Sequence, residues 1–253
     1  MPPRCRASCS SSGPSSRPAT GQGPLPTIAD RLTAVRARIA AAAASAGRDL
    51  ASVRLIAVSK TFPLDAVREA YAAGQRDFGE NRVQEALLKI RAAADGSLRW
   101  HLLGHLQSNK ARKAGQVFAA VHSVDRVELL ERLDEAAAEA GTAPELLIQV
   151  DLAGEATKHG ASPAEVPRLL EVAAACRAAR VVGLMTLPPR ADTPEDARDW
   201  FRRLHDLRDG WREGGVPAPM LRELSMGMSG DFEVAVQEGA TMVRVGTAIF
   251  GRR

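Results

Sequence analysis

The sequence predicts one α/β domain, a (β/α)8 barrel of the TIM type with an extra N-terminal helix, and three observations carry that prediction. Eight short apolar stretches recur along the chain, with a helical pattern in every gap. They fall within the 227 residues that follow Pro26, close to the ~250 residues such a barrel takes. The first stretch is not followed by the Gly-rich turn of a nucleotide-binding unit, which disfavours an open doubly wound sheet.

In chain order, residues 1–26 are rich in Ser, Pro, Gly and Arg and almost free of large apolar side chains. Such a segment buries too little surface to order itself, so a disordered extension is expected over 1–26 and the barrel over 27–253. It has neither the apolar centre of a secretory signal nor the amphipathic character of a transit peptide. Thr27 can cap a helix that carries Ile28, Leu32, Val35 and Ile39 at helical spacing, with Gly47 ending it. The first strand is predicted over Val53–Lys60, followed by a helix from Leu64 to about Ala73. Asp77–Asn81 is the second strand, before a helix running through Ile90. The remaining strands are expected at Trp100–Gly104, Ala119–Val124, Leu146–Leu152, Val181–Thr186, Glu223–Met226 and Met242–Gly246.

Composition narrows the function. The chain has 253 residues, 45% hydrophobic and 25% charged, as expected of a globular protein. Its formal charge of +4 owes three arginines, Arg4, Arg6 and Arg17, to the acid-free first segment, leaving 31 basic against 30 acidic residues in the remainder. No Lys/Arg run is interleaved with aromatics, so nucleic acid is not the expected partner. Cys5 and Cys9 lie in the extension, and Cys176 is expected within a helical pattern as a small buried hydrophobe; no disulfide framework or metal spacing exists. No apolar run reaches the ~18 residues of a membrane span, and a lone thiol suits a reducing compartment, so a cytoplasmic protein is expected.

In a barrel of this kind chemistry gathers at the C-terminal ends of the strands. Lys60 ends the first, Glu80 and Asn81 the second; His101 and Gly104 mark the third, Ser123 and Asp125 the fourth, Asp151 the fifth, Met185 and Thr186 the sixth. A lysine leaving the apolar run Leu55-Ile56-Ala57-Val58 loses solvation, which favours the neutral amine, a nucleophile able to form a Schiff base with a carbonyl. The plainer reading is a lysine lifting its charge into water. Strand seven leads into Ser225-Met226-Gly227-Met228-Ser229-Gly230-Asp231 and strand eight into Gly246-Thr247-Ala248. Phosphate sites of this fold often use the loops after strands seven and eight, although the plainer reading of each loop alone is a helix cap. Lysine and loops together suggest a phosphate-bearing aldehyde.

Five blocks now carry a resemblance: Ala57-Val58-Ser59-Lys60-Thr61, Phe78-Gly79-Glu80-Asn81-Arg82-Val83-Gln84-Glu85, Trp100 through Lys110, Ser225-Met226-Gly227-Met228-Ser229, and Val243 through Gly251. In this order they resemble the pyridoxal-phosphate homeostasis protein family, also known as the proline synthase co-transcribed group, whose fold is similar to the N-terminal barrel of alanine racemase. The resemblance covers Thr27 to the C-terminus. It implies that Lys60 holds pyridoxal 5′-phosphate as an aldimine, that Ser225, Ser229, Gly246 and Thr247 surround the phosphate, and that Arg244 faces the pyridine nitrogen. It further implies that Asn81, His101 and Met226 line the ring, while His101 read by itself is equally a satisfied core histidine.

A guanidinium cannot accept a proton, so Arg244 would keep the ring nitrogen unprotonated and weaken the cofactor as an electron sink. The related racemases bring a catalytic tyrosine with an additional β domain. Here the single tyrosine, Tyr71, falls in the first helical pattern after Lys60, on the outer ring. The expected function is therefore cofactor homeostasis, holding pyridoxal phosphate and passing it to apo enzymes that use it. The alternatives are a pyridoxal-phosphate-dependent amino-acid racemase or decarboxylase, and a cofactor-free Schiff-base aldolase. Lys110 and Lys158 are the competing lysines.

Overall fold

Strands this short and this apolar have no face to spare for water, so both faces must be covered, one by the barrel interior and the other by helices. The computed structural model describes residues 1, 25–154, 159–190 and 192–252. The strands are β1 (Arg54–Val58), β2 (Asp77–Glu80), β3 (Arg99–Leu102), β4 (Ala120–Val124), β5 (Glu145–Gln149), β6 (Arg180–Met185), β7 (Glu223–Ser225) and β8 (Met242–Val245). All pair in parallel with their sequence neighbours, and β8 pairs with β1 to close the barrel. Each lies within one to three residues of its predicted bounds. The predicted fifth strand ran too far, because beyond Gln149 the pairing shrinks to a single bridge from Val150 to Ala161.

The helices are α1 (Ile28–Ser45), α2 (Leu64–Ala72), α3 (Val83–Ala93), α4 (Ala111–Val117), α5 (Val127–Ala140), α6 (Val166–Ala173), α7 (Arg198–Glu213), α8 (Phe232–Gln237) and α9 (Thr247–Phe250). Thr27 caps α1 through a reciprocal pair: its hydroxyl accepts from the Asp30 N–H, and the Asp30 carboxylate accepts from the Thr27 N–H. Because β8 is followed only by the single turn of α9, α1 supplies the missing cover at the seam. It packs on α2 at one side and on α8 and α9 at the other. Arg38 of α1 fastens it there, pairing with Glu233 and lying over the Phe232 ring, 4.5 Å from its centroid.

Two apolar layers result. The larger lies between strands and helices and includes Leu32, Val35 and Ile39 of α1; the smaller fills the barrel interior with Ile56, Val58, Leu103, Leu147, Val182, Met185 and Met242. The N-terminal ends of the strands form an ionic floor. Glu145 of β5 takes Arg54 (3.4 Å), Arg99 (3.3 Å) and Arg222 (2.5 Å), while Asp77 takes Arg99 (3.2 Å). Cys176 lies just past α6 rather than within a helix and is half-buried; burial and the charges of Asp134 and Glu131 push its thiol up to about 11, so it is inert at neutral pH. The expectation of a disordered extension falls almost wholly outside the described residues, as does Lys158. No helix among the described residues is long and apolar enough to cross a membrane.

Candidate functional site

Lys60 emerges one residue past Ser59 at the C-terminal end of β1, and its neighbours are held from three sides. The Ser59 hydroxyl donates to Glu80 (2.6 Å), the Ser59 N–H donates to the Gly79 carbonyl (3.0 Å), and Lys89 of α3 donates to the Ser59 carbonyl (2.8 Å). Lys89 also pairs with Glu80 (2.7 Å) and Glu85 (2.9 Å). Thr61 sits in the left-handed region at φ +64, and its N–H donates to Glu85. A β-branched residue there is strained by about 1–3 kcal/mol, so the chain leaves β1 by a sharp turn that the Glu85 bond maintains. Burial raises the Glu80 carboxyl above its usual range, against the opposing bonds from Lys89 and Ser59.

Lys60 lines a cavity of about 360 Å³ at the barrel mouth together with Asn81, His105, Gln149, His159 and Arg244. That size suits a small cofactor, for which pockets of about 300–1,000 Å³ are usual. No carboxylate is among the lining residues that are described. The β3 exit runs close by, and Gly104 is required there, since a Cβ would stand 2.2 Å from the Asn81 carbonyl oxygen. Ser229 follows β7 and accepts from the Gly246 N–H (3.1 Å), tying the loops after β7 and β8 together; Thr247 is the next residue. Gly227 turns the first of these loops at φ +90, a conformation that favours glycine.

Arg244 rises from β8 into the cavity from below. Its guanidinium donates to the Ser225 hydroxyl (2.7 Å) and the Thr186 carbonyl (3.0 Å), and burial lowers it to about 10, still protonated at neutral pH. The chain of bonds then continues downward across the barrel. Ser225 meets His122 Nδ1 at 2.8 Å, His122 Nε2 meets His101 Nδ1 at 3.0 Å, and His101 Nε2 meets Asp77 Oδ1 at 2.9 Å. Ser225, His122 and His101 are fully buried. Burial drives both imidazoles below their ordinary value, His122 furthest, with His101 adding to its shift; the Asp77 bond only partly offsets the effect at His101. For Asp77, burial opposes ionisation, but the His101 bond and the charges of His101, Arg99 and Arg54 outweigh it and hold the carboxyl low.

The sequence-predicted residues thus divide. Lys60, Asn81 and Arg244 meet at one cavity, with Ser229, Gly246 and Thr247 on the loops after β7 and β8. His101 does not line the cavity: it sits below Leu103, turned inward between His122 and Asp77. Met226 is fully buried in the layer between strands and helices. The Ser225 hydroxyl is taken by His122 and Arg244 beneath the mouth. Lys110 ends a short 3₁₀ turn away from the cavity lining, and Tyr71 lies on α2, bonded to Ser97 (2.8 Å) under the Arg76 guanidinium. The sequence reading missed His122, whose signal was a histidine inside the wholly buried run of β4. It also missed Lys89, a nearly buried lysine four residues after Glu85 on α3. His105, Asp125 and His159 bring ligand-capable atoms within 4.8 Å of one another, but the two rings stack at 3.5 Å and 14°, which keeps their lone pairs parallel rather than aimed at one ion.

Fold and site together define a barrel protein with a lysine and a buried arginine facing one mouth cavity, the architecture of the alanine racemase N-terminal domain, whose family model matches residues 31–253. A Pseudomonas aeruginosa protein named pyridoxal phosphate homeostasis protein is 47% identical over 230 residues, spanning 90% of this chain and 97% of that protein; its Aquifex aeolicus namesake is 43% identical over 225 residues, with 88% and 97% covered. The chain belongs to the pyridoxal phosphate homeostasis protein family. Among solved structures, PipY of Synechococcus elongatus with PLP bound is 44% identical, with a TM-score of 0.77 and coverage of 89% of this chain and 100% of that one. Alanine racemase from Streptomyces lavendulae, 24% identical with a TM-score of 0.61 over 88% of this chain and 58% of its own, shares the fold.

Proposed function

We propose that this chain binds pyridoxal 5′-phosphate at the barrel mouth and serves in homeostasis of that cofactor, with Lys60 holding its aldehyde covalently. The observation that carries the reading is the convergence of Lys60 and Arg244 on one cavity at the barrel mouth. Two cationic side chains facing one cavity suit a dianionic phosphate ester, and an amine two residues past a buried strand suits an aldehyde. The names of the relatives and the cofactor bound to PipY support the same conclusion.

The donor set fits the group. Lys60 supplies the amine, and Ser229, Gly246 and Thr247 are the groups for the phosphate end. Arg244 spends two bonds on Ser225 and Thr186 and has five N–H donors, leaving capacity for an acceptor such as a pyridine nitrogen. Bound pyridoxal phosphate supplies electron withdrawal from an attached amine. Arg244 has no proton-accepting capacity with which to strengthen that withdrawal, and Tyr71 stands outside the cavity, so the residues present favour retention over turnover. The holding and passing on of cofactor, with apo enzymes as recipients, is the function proposed.

The test is an absorption spectrum of the purified protein with pyridoxal phosphate before and after borohydride, with peptide mapping. Lys60 is expected to carry the fixed adduct and Lys60→Ala to carry none; fixation on Lys110 or Lys158 would sink the assignment. Incubation with L-amino acids in deuterated water is expected to give at most trace Cα exchange. Rapid multiple turnover that vanishes in Lys60→Ala would instead favour the racemase or decarboxylase reading.

A further inference from the structure

Hydrogen bonds in series have a direction, because each group must know whether it gives or receives. The series here starts at an ionised carboxylate, Asp77, which can only accept. His101 therefore carries its proton on Nε2, and in a neutral ring this leaves Nδ1 as an acceptor. His122 must then donate from Nε2, which leaves its own Nδ1 to accept from the Ser225 hydroxyl. Ser225, having given its proton, receives from Arg244, which can only donate. With this assignment the Ser225 hydroxyl proton and all four imidazole nitrogens in the series have a partner. The opposite direction makes Ser225 accept from both His122 and Arg244 and strands its hydroxyl proton in a fully buried place, which is unfavourable.

We infer that Asp77, at the floor of the barrel, is a positioning residue for Arg244 at the mouth, acting through a one-way series of four hydrogen bonds that crosses the interior. The inference rests on the proposed binding of pyridoxal phosphate only for its effect on the ligand; the proton directions belong to the protein alone. The two ends are fixed charges of opposite sign and the middle is neutral, so neither imidazole has to ionise in the dry interior. What reaches the mouth is a guanidinium whose plane is set by Ser225 and Thr186 together. Removing the Asp77 charge frees the direction: an asparagine can accept from His101 Nε2–H or donate to a bare Nε2. Ser225 would then cease to be a dependable acceptor for Arg244.

Two-bond ¹⁵N–¹H spectra of the imidazoles read the tautomers directly in the full-length protein without cofactor. His101 and His122 are both expected as neutral Nε2–H tautomers at pH 7; an Nδ1–H or doubly protonated form of either would overturn the inference, whether or not any variant folds. In Asp77→Asn a second tautomer is expected for the pair, with the dissociation constant for pyridoxal phosphate raised about tenfold, the scale of losing one hydrogen bond to a charged group. Arg99→Gln removes an ion-pair partner of Asp77 on the floor but none of the four hydrogen bonds of the series, and should leave tautomers and affinity unchanged. Equal effects from both variants, or none from Asp77→Asn, would refute the role of Asp77. If borohydride fixes no cofactor on the wild type, the binding proposal fails while the wild-type tautomers still decide the inference.

Discussion

Arg244 is kept in the barrel at the cost of desolvating a full charge, and its fork of donors explains why a lysine could not take its place. Ser225 Oγ belongs to the last residue of β7 and the Thr186 carbonyl lies just past β6, and a planar guanidinium reaches both at once from two nitrogens. Arg244→Lys is expected to lose one of these bonds, lowering stability by about 1–3 kcal/mol in chemical denaturation and weakening pyridoxal phosphate binding in an absorbance titration. An unchanged affinity would mean that the arginine matters only as a point charge. At this scale the sequence was legible in placing Lys60 at a strand end, which the structure brings to the mouth cavity, whereas Arg244 was reached only through the family resemblance. It was opaque for His101, Ser225 and Met226, because strands buried on both faces lose the polar–apolar alternation that tells inward from outward. His122 was hidden for the same reason.

Among the elements, the joint between α5 and β6 depends on one carboxylate. Asp134 of α5 accepts from the backbone N–H groups of Arg177, Ala178 and Ala179 as the chain enters β6. Burial opposes its ionisation, but these bonds prevail and its carboxyl is held below the ordinary aspartate value. A depressed value means stability that is present above the unfolded pKa, about 3.9, and lost as pH falls through the folded one. Asp134→Asn is expected to cost about 1–3 kcal/mol at pH 7, with the gap from wild type narrowing below about pH 4 in urea melts. A constant gap would show that the carboxylate is ionised equally in both states. Element existence was legible from periodicity, whereas strand ends were not: apolar residues continue past Gln149 into Val150 and Leu152, while the pairing partner has already ended. Nor did the helical patterns give the frame that α3 builds around the β1 exit, since Glu85 and Lys89 look like any i,i+4 surface pair until Glu80 is brought beneath them.

For the whole molecule, α1 starts at the Thr27 cap, and the matched family region begins at residue 31. A chain shortened by its first 24 residues is expected to keep its thermal midpoint within about 2 °C and its cofactor affinity; a larger drop, equivalent to about 1 kcal/mol, would reveal a docking role for those residues. The placement of α1 has a further consequence, in the order of synthesis. Helix α1 is the cover for the seam between the first strand and the last, and until α8 and α9 exist its apolar face has α2 on one side but nothing lasting on the other. The β1 edge likewise stays unpaired on one side until β8 arrives. Nearly the whole chain must therefore be made before its two ends can meet. While the ribosome works, the nascent protein carries an open strand edge and a bare helix stripe, and these, rather than any surface of the finished barrel, are where a chaperone would have something to hold.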